Sequence, residues 1–121
     1  MGYVIDISSY QSSVNWGQID HGQGGVLGCY IKITEGSGYV SPAWAAQYAG
    51  ARGIGVPVGA YHFADLGNAS TEANHFADVY LSRQWQLVPV LDIETNGASA
   101  AWIVAFRTQF RARLLAAGIT D

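Results

Sequence analysis

Disulfides are excluded at the outset, because Cys29 is the only cysteine in 121 residues and cannot pair within the chain. It lies in the apolar run Val26–Ile33, where a buried thiol behaves as a small hydrophobic group. Charge is scarce as well. Only 12% of the residues are charged, nine acidic against six basic, and the formal net charge is −3. That balance argues against a nucleic-acid partner or an anionic membrane surface, both of which select a basic face. No apolar run approaches the roughly eighteen residues of a membrane span. The opening Met1-Gly2-Tyr3-Val4-Ile5-Asp6 has no basic start ahead of an apolar stretch, so no signal peptide is visible. A myristoylation motif wants Ser or Thr where Asp6 stands. Linkers, low-complexity segments and repeats are missing too, and a single domain over residues 1–121 is the expected organisation.

Half of the residues are hydrophobic, enough to build a core. The pattern along the chain alternates strands with helices. Tyr3–Ile7 reads as a strand, followed by a polar loop and a helical turn near Trp16–Asp20. Val26–Thr34 is a second strand, entered from the glycine-rich stretch Gly22–Gly25. Ser41-Pro42 opens a helix through Ala43–Arg52 that stops at Gly53 or Gly55. Val56–Phe63 is a third strand, and Gly67–Thr71 begins a helix running to about Ser82. Leu87–Ile93 is a nearly unbroken apolar run of the kind buried on both faces. A long helix over about Ala98–Ala117 ends at Gly118. Four β-then-α units in succession predict an α/β fold with a parallel sheet and right-handed crossovers.

On this reading every strand delivers a chemically capable group at its C-terminal end. Asp6 is near the end of the first strand, Glu35 follows the second, Tyr61 and His62 close the third, and Asp92 and Glu94 close the fourth. Ligands bind at that end in α/β barrels and open parallel sheets. Asp92 and Glu94 are two apart, so a continuing strand points both to one face. Two such carboxylates repel, and one should hold its proton nearer neutrality. Glycoside cleavage uses a pair of this kind, one acid for the leaving oxygen and one carboxylate for the developing positive charge. Each group also has a plainer reading. A carboxylate after a strand often caps a helix, clustered carboxylates hold Mg²⁺ or Ca²⁺, and His62 alone reads as a hydrogen-bonded core histidine. Tyr61 and the four Trp are core by default. Asp20, Asp65, Glu72, Asp78 and Asp121 read as surface or cap positions.

Six short segments in order carry a resemblance. They are Tyr3-Val4-Ile5-Asp6-Ile7-Ser8-Ser9-Tyr10-Gln11, Val14-Asn15-Trp16, Tyr30-Ile31-Lys32-Ile33-Thr34-Glu35-Gly36, Tyr48-Ala49-Gly50-Ala51-Arg52, Val58-Gly59-Ala60-Tyr61-His62-Phe63 and Pro89-Val90-Leu91-Asp92-Ile93-Glu94. Together they resemble glycoside hydrolase family 25, the Chalaropsis-type lysozymes of bacteria, fungi and phages, from residue 3 to about 118. The resemblance implies an irregular TIM-like β/α barrel that hydrolyses the β-1,4 bond between N-acetylmuramic acid and N-acetylglucosamine. It implies Glu94 as general acid, Asp92 orienting the substrate's N-acetyl group with Asp6 close by, and Glu35 and Tyr61 lining the same cleft. Strand-end placement adds His62 to that substrate-binding set. Retention of anomeric configuration with help from the acetamido group, and no cofactor, complete the expectation. Four units are fewer than a barrel of this type holds, so the later strands, with a further acid and the far cleft wall, are expected to lie elsewhere.

The leading expectation is therefore a peptidoglycan-cleaving muramidase segment acting on glycan strands of the bacterial wall. The rival from another class is a structural or wall-binding piece that has lost turnover. A metal-dependent hydrolase is the third; against it, no second histidine stands at a strand end and no phosphate loop of standard spacing occurs. The missing leader suits a phage lysin released by a separate pore, and equally a trimmed chain. Open sheet edges are expected to favour self-association or a complementing chain.

Overall fold

A computed structural model describes residues 1–120; the surface position expected for Asp121 lies outside the described residues. Among those residues the elements run β1 (Tyr3–Ile7), β2 (Val26–Glu35), β3 (Tyr39–Val40), α1 (Trp44–Gly53), β4 (Val58–Phe63), α2 (Ala69–Tyr80), β5 (Val90–Asp92) and α3 (Ala100–Ala116), with 3-10 turns at Ser9–Gln11 and Trp16–Gln18. The strand order is β1-β2-β4-β5, with β3 paired to β2 off that path. β1 pairs β2 in parallel, Asp6 opposite Tyr30. Along β2 and β4 the amide of Cys29 bonds the carbonyl of Pro57 at 2.9 Å and that of Gly36 bonds Phe63 at 3.1 Å, rising together as a parallel pair does. These are the parallel β/α units of an incomplete TIM-like barrel.

The chain forms two compact units. The first takes Met1–Ile33, Ser41–Tyr61 and Trp85–Val90, and the second takes Thr34–Val40, His62–Gln84 and the stretch from Leu91. Each collects three separate stretches, so no single cut separates them.

In the first unit β2 alternates as a strand should. Cys29, Ile31 and Ile33 are fully buried, joined in the core by Val56, Val58 and Ala60, while Tyr30 and Lys32 between them are half-buried. Close approaches fall on glycine. A Cβ on Gly50 of α1 would overlap the Trp16 indole, and one on Gly59 of β4 would overlap the Tyr30 ring. Trp44, Tyr48 and Trp85 form an aromatic trio, with Tyr48 edge-on to Trp85 at 5.1 Å. The start of α1 departs from expectation. Ser41 is buried and its Oγ accepts the amide of Ala43 at 3.3 Å, which caps a turn through Pro42; the helix begins at Trp44, with no side-chain cap at Ala43. Its end follows the sequence, Gly55 taking φ +80.

The second unit is built around α2 and α3, which pack on each other. Phe76 and Tyr80 on α2, and Trp102, Phe106 and Phe110 on α3, recur every four residues and so share a face. Phe76 stacks on Phe110 at 4.6 Å and Trp102 on Phe106 at 5.6 Å. The N-caps are Asn68 for α2, accepting from the Thr71 amide, and Ser99 for α3, accepting from the Trp102 amide. The two-residue β3, antiparallel to β2 after the turn at Gly36, has no counterpart in the sequence pattern, since two residues are too few to show a period.

The expected fourth strand is also corrected. The run Leu87–Ile93 is not buried on both faces: only Val90–Asp92 is strand, and Val88 and Val90 are 75% and 38% exposed. Among the described residues β5 ends the strand order and has a neighbour on one side only, so its apolar character exceeds its burial. No helix among the described residues is long and apolar enough to cross a membrane.

Candidate active site

The first unit holds Asp6 and Tyr61. Asp6 is an exposed carboxylate one residue before the end of β1, and Tyr61 is half-buried on β4. Asp6 also acts on its neighbourhood. The Cys29 thiol is pushed up to about 11, chiefly by burial and further by the negative charge of Asp6. Beyond β1 the chain is tied firmly: Ser8 and Gln11 form a capping box around the 3-10 turn. Gln47 Nε2 donates to the carbonyls of Ser8 at 2.8 Å and Gln11 at 3.1 Å.

The second unit holds Glu35, His62, Asp92 and Glu94. Glu35 is half-buried at the end of β2, and Gly36, at φ +58, turns the chain away immediately after it. Gly36 bonds Phe63 at the end of β4, and the Ala64 amide donates to the Asp92 carbonyl at 2.9 Å at the end of β5. Thr95, next to Glu94, has its hydroxyl 3.5 Å from the Ala64 carbonyl. Three strand ends are thus stitched together, which places Glu35 and Asp92 at the same C-terminal end of the sheet. The expected common face for Asp92 and Glu94 is not provided by the strand. β5 stops at Asp92 and Glu94 stands two residues beyond it, exposed, so strand alternation does not fix its direction.

His62, expected among the substrate-binding residues, is fully buried. Its Nε2 is 2.9 Å from Glu72 Oε1 and its Nδ1 is 2.7 Å from Thr34 Oγ1. Burial lowers its proton affinity more than Glu72 raises it, so the ring is neutral at neutral pH. A carboxylate only accepts; Nε2–H therefore donates to Glu72, and Nδ1 accepts the Thr34 hydroxyl. No ring nitrogen remains for a sugar. The reading of His62 as a hydrogen-bonded core residue is the one the geometry fits.

Glu72, expected at the surface or as a cap, is instead 1% exposed. Besides His62 it accepts the amide of Asp65 at 3.0 Å and that of Gly67 at 2.6 Å. Those amides flank Leu66, the one non-glycine among the described residues at positive φ, +62. Trp102 Nε1 closes the loop from α3, donating to the Gly67 carbonyl at 2.8 Å. The sequence carried a partial signal: Asn68 caps α2 and Glu72 falls in its first turn. A first-turn carboxylate fits a cap equally well, and nothing local to it marks burial. Among the described residues no set of three His, Cys, Asp or Glu is placed to hold a metal ion.

Comparison with known proteins gives a consistent picture. The profile of the glycosyl hydrolases family 25 matches residues 5–119. Lysozyme M1 of Streptomyces globisporus is 34% identical over 90% of this chain and 42% of its own length. The N,O-diacetylmuramidase of Chalaropsis is 35% identical over 89% of this chain and 59% of its own. Among solved structures, the bacterial lysozyme of Streptomyces coelicolor superposes with a TM-score of 0.72 at 32% identity, over 90% of this chain and 57% of that one. A family 25 lysozyme from Aspergillus fumigatus gives 0.69 at 31% identity, over 96% and 59%. The chain spans about half the length of these relatives.

Proposed function

The chain belongs to the glycosyl hydrolases family 25, and on that footing we propose that it carries the acid chemistry of a muramidase acting on peptidoglycan. The bond cleaved is the β-1,4 link between N-acetylmuramic acid and N-acetylglucosamine. The observation that carries this reading lies in the second unit, where the stitched ends of β2, β4 and β5 set Glu35 and Asp92 at one end of a parallel sheet, with Glu94 following. That end is where parallel α/β folds bind ligands. The names of the relatives, a lysozyme and an N,O-diacetylmuramidase, support the same substrate class.

In this scheme Glu94 is the general acid and protonates the leaving glycosidic oxygen. The substrate's own acetamido oxygen attacks the anomeric carbon from the opposite face, and Asp92 orients and stabilises that group as it becomes positive. Water then opens the cyclic intermediate, giving its proton to the Glu94 carboxylate, and two inversions retain configuration. Such substrate assistance departs from the two-carboxylate rule of most glycosidases. Glu35 lines the substrate, and Asp6 and Tyr61 enter on the resemblance; no cofactor takes part.

Release of reducing ends from purified peptidoglycan, by this chain together with one carrying the later strands, tests the reading. Glu94→Gln keeps shape and removes the transferable proton, so the rate should fall by at least about a hundredfold, the usual scale of general acid catalysis. Asp92→Asn should be severe as well. Asp78→Asn should be close to silent, since Asp78 makes only a solvent-exposed ion pair with Arg113. Near-normal hydrolysis by Glu94→Gln would remove the assignment. Wall binding by the wild type without reducing ends would favour the non-catalytic reading, and loss of activity in EDTA the metal-dependent one.

A further inference from the structure

Among the described residues Glu72 is the only fully buried carboxylate, and the proposed chemistry leaves it idle. Burying a carboxylate is costly, and an apolar side chain of similar volume would serve packing as well or better. Its bonds suggest another use. Through His62 and Thr34 it reaches the residue before Glu35. Through the amides of Asp65 and Gly67 it holds the loop that leaves β4, and Ala64, at the head of that loop, bonds the Asp92 carbonyl. The loop is strained at Leu66, and such strain persists only where the surroundings over-determine it. One carboxylate therefore reaches the backbone beside both strand-end acids, while remaining sealed from solvent.

We propose that Glu72 is a positioning residue, which fixes the strand ends bearing Glu35 and Asp92 through the Thr34–His62–Glu72 chain and the Asp65–Gly67 loop. The inference rests on the muramidase reading for its consequence in catalysis. Its geometric content, that Glu72 sets the backbone at Glu35 and Asp92, is independent of that reading. Misplacing reacting groups by about an ångström costs on the order of a hundredfold in rate, so a loosened frame lowers turnover before it abolishes folding.

The test compares Thr34→Val, Thr34→Ser and Glu72→Gln with the wild type on peptidoglycan. Val56→Ala, a buried site in the first unit, controls for lost stability, with assays run well below every melting temperature. Thr34→Val and Glu72→Gln should lower kcat about tenfold or more, with KM within about twofold. Thr34→Ser restores the hydroxyl and should stay near wild type, and Val56→Ala should keep its kcat. In amide NMR spectra, Glu72→Gln should shift Asp65 and Gly67 upfield and also move Glu35 and Asp92. Wild-type kcat in both Thr34→Val and Glu72→Gln, or a kcat that merely tracks melting temperature across all variants, would overturn the proposal. If Glu72→Gln fails to fold, the Thr34→Val and Thr34→Ser pair decides. If the wild type with the later strands supplied releases no reducing ends, the muramidase reading fails, and the spectra judge the positioning claim: unmoved Glu35 and Asp92 amides in Glu72→Gln overturn it.

Discussion

Cys29 lies at the centre of β2 with its side chain sealed in the core, and its chemistry follows from that address. The thiolate is the reactive species, and burial together with Asp6 pushes the thiol up to about 11. At pH 8 the folded protein should therefore react with a thiol reagent only on unfolding. Labelling rates followed with and without denaturant check this, and fast labelling of the native chain would contradict the burial. His62 gives a second residue-scale expectation. Its pKa is lowered in the fold, burial being the main cause, so the unfolded chain binds the proton more readily. Its contribution to stability is complete above the unfolded value near 6.5 and is lost as pH falls through the lower folded value. Wild-type melting temperature should decline between pH 7.5 and 5.5, and His62→Gln should flatten that decline. An equal slope in both would remove His62 as its source.

At the scale of elements, α1 is held by a contact that glycine alone permits. Alanine at position 50 would favour the helix by about 1 kcal/mol, but its Cβ would overlap the Trp16 indole, and overpacking costs about 1–3 kcal/mol. Gly50→Ala should therefore lower the melting temperature; a rise in calorimetry would show that Trp16 is not seated on α1. Element positions were largely legible. β1 matches the expected Tyr3–Ile7, α2 begins within the polar stretch Gly67–Thr71, and Gly55 and Gly118 take positive φ where the helical pattern ends. Ser41 has the residue type of a helix cap, but its hydroxyl closes the turn before α1 by accepting the Ala43 amide, while its own amide bonds the Ile33 carbonyl and ties it to β2.

At the largest scale, the strand order among the described residues ends at β1 on one side and at β5 on the other. Near them Tyr3 and Val4 on β1, and Val88 and Val90 by β5, expose apolar side chains. An uncovered apolar edge recruits other strands. The 121-residue chain should therefore show, by light scattering, a concentration-dependent mass above 12.9 kDa, and Val4→Lys with Val90→Lys should reduce it. A monodisperse monomer at high concentration would show that the edges are shielded.

The sequence by itself determined the alternation of strands and helices, the parallel sheet it demands, and the placing of Glu35 and Asp92 at strand ends. Those follow from periodicity and punctuation, which act over a few residues. Only the tertiary structure decided that His62 and Glu72 face each other in the interior, that Leu87–Ile93 lies at an edge, and that Glu94 stands clear of its strand. Burial of a polar group depends on which distant residue meets it. His62 and Glu72 are ten positions apart on different elements, and Thr34 is 28 from His62; no local pattern records such pairings.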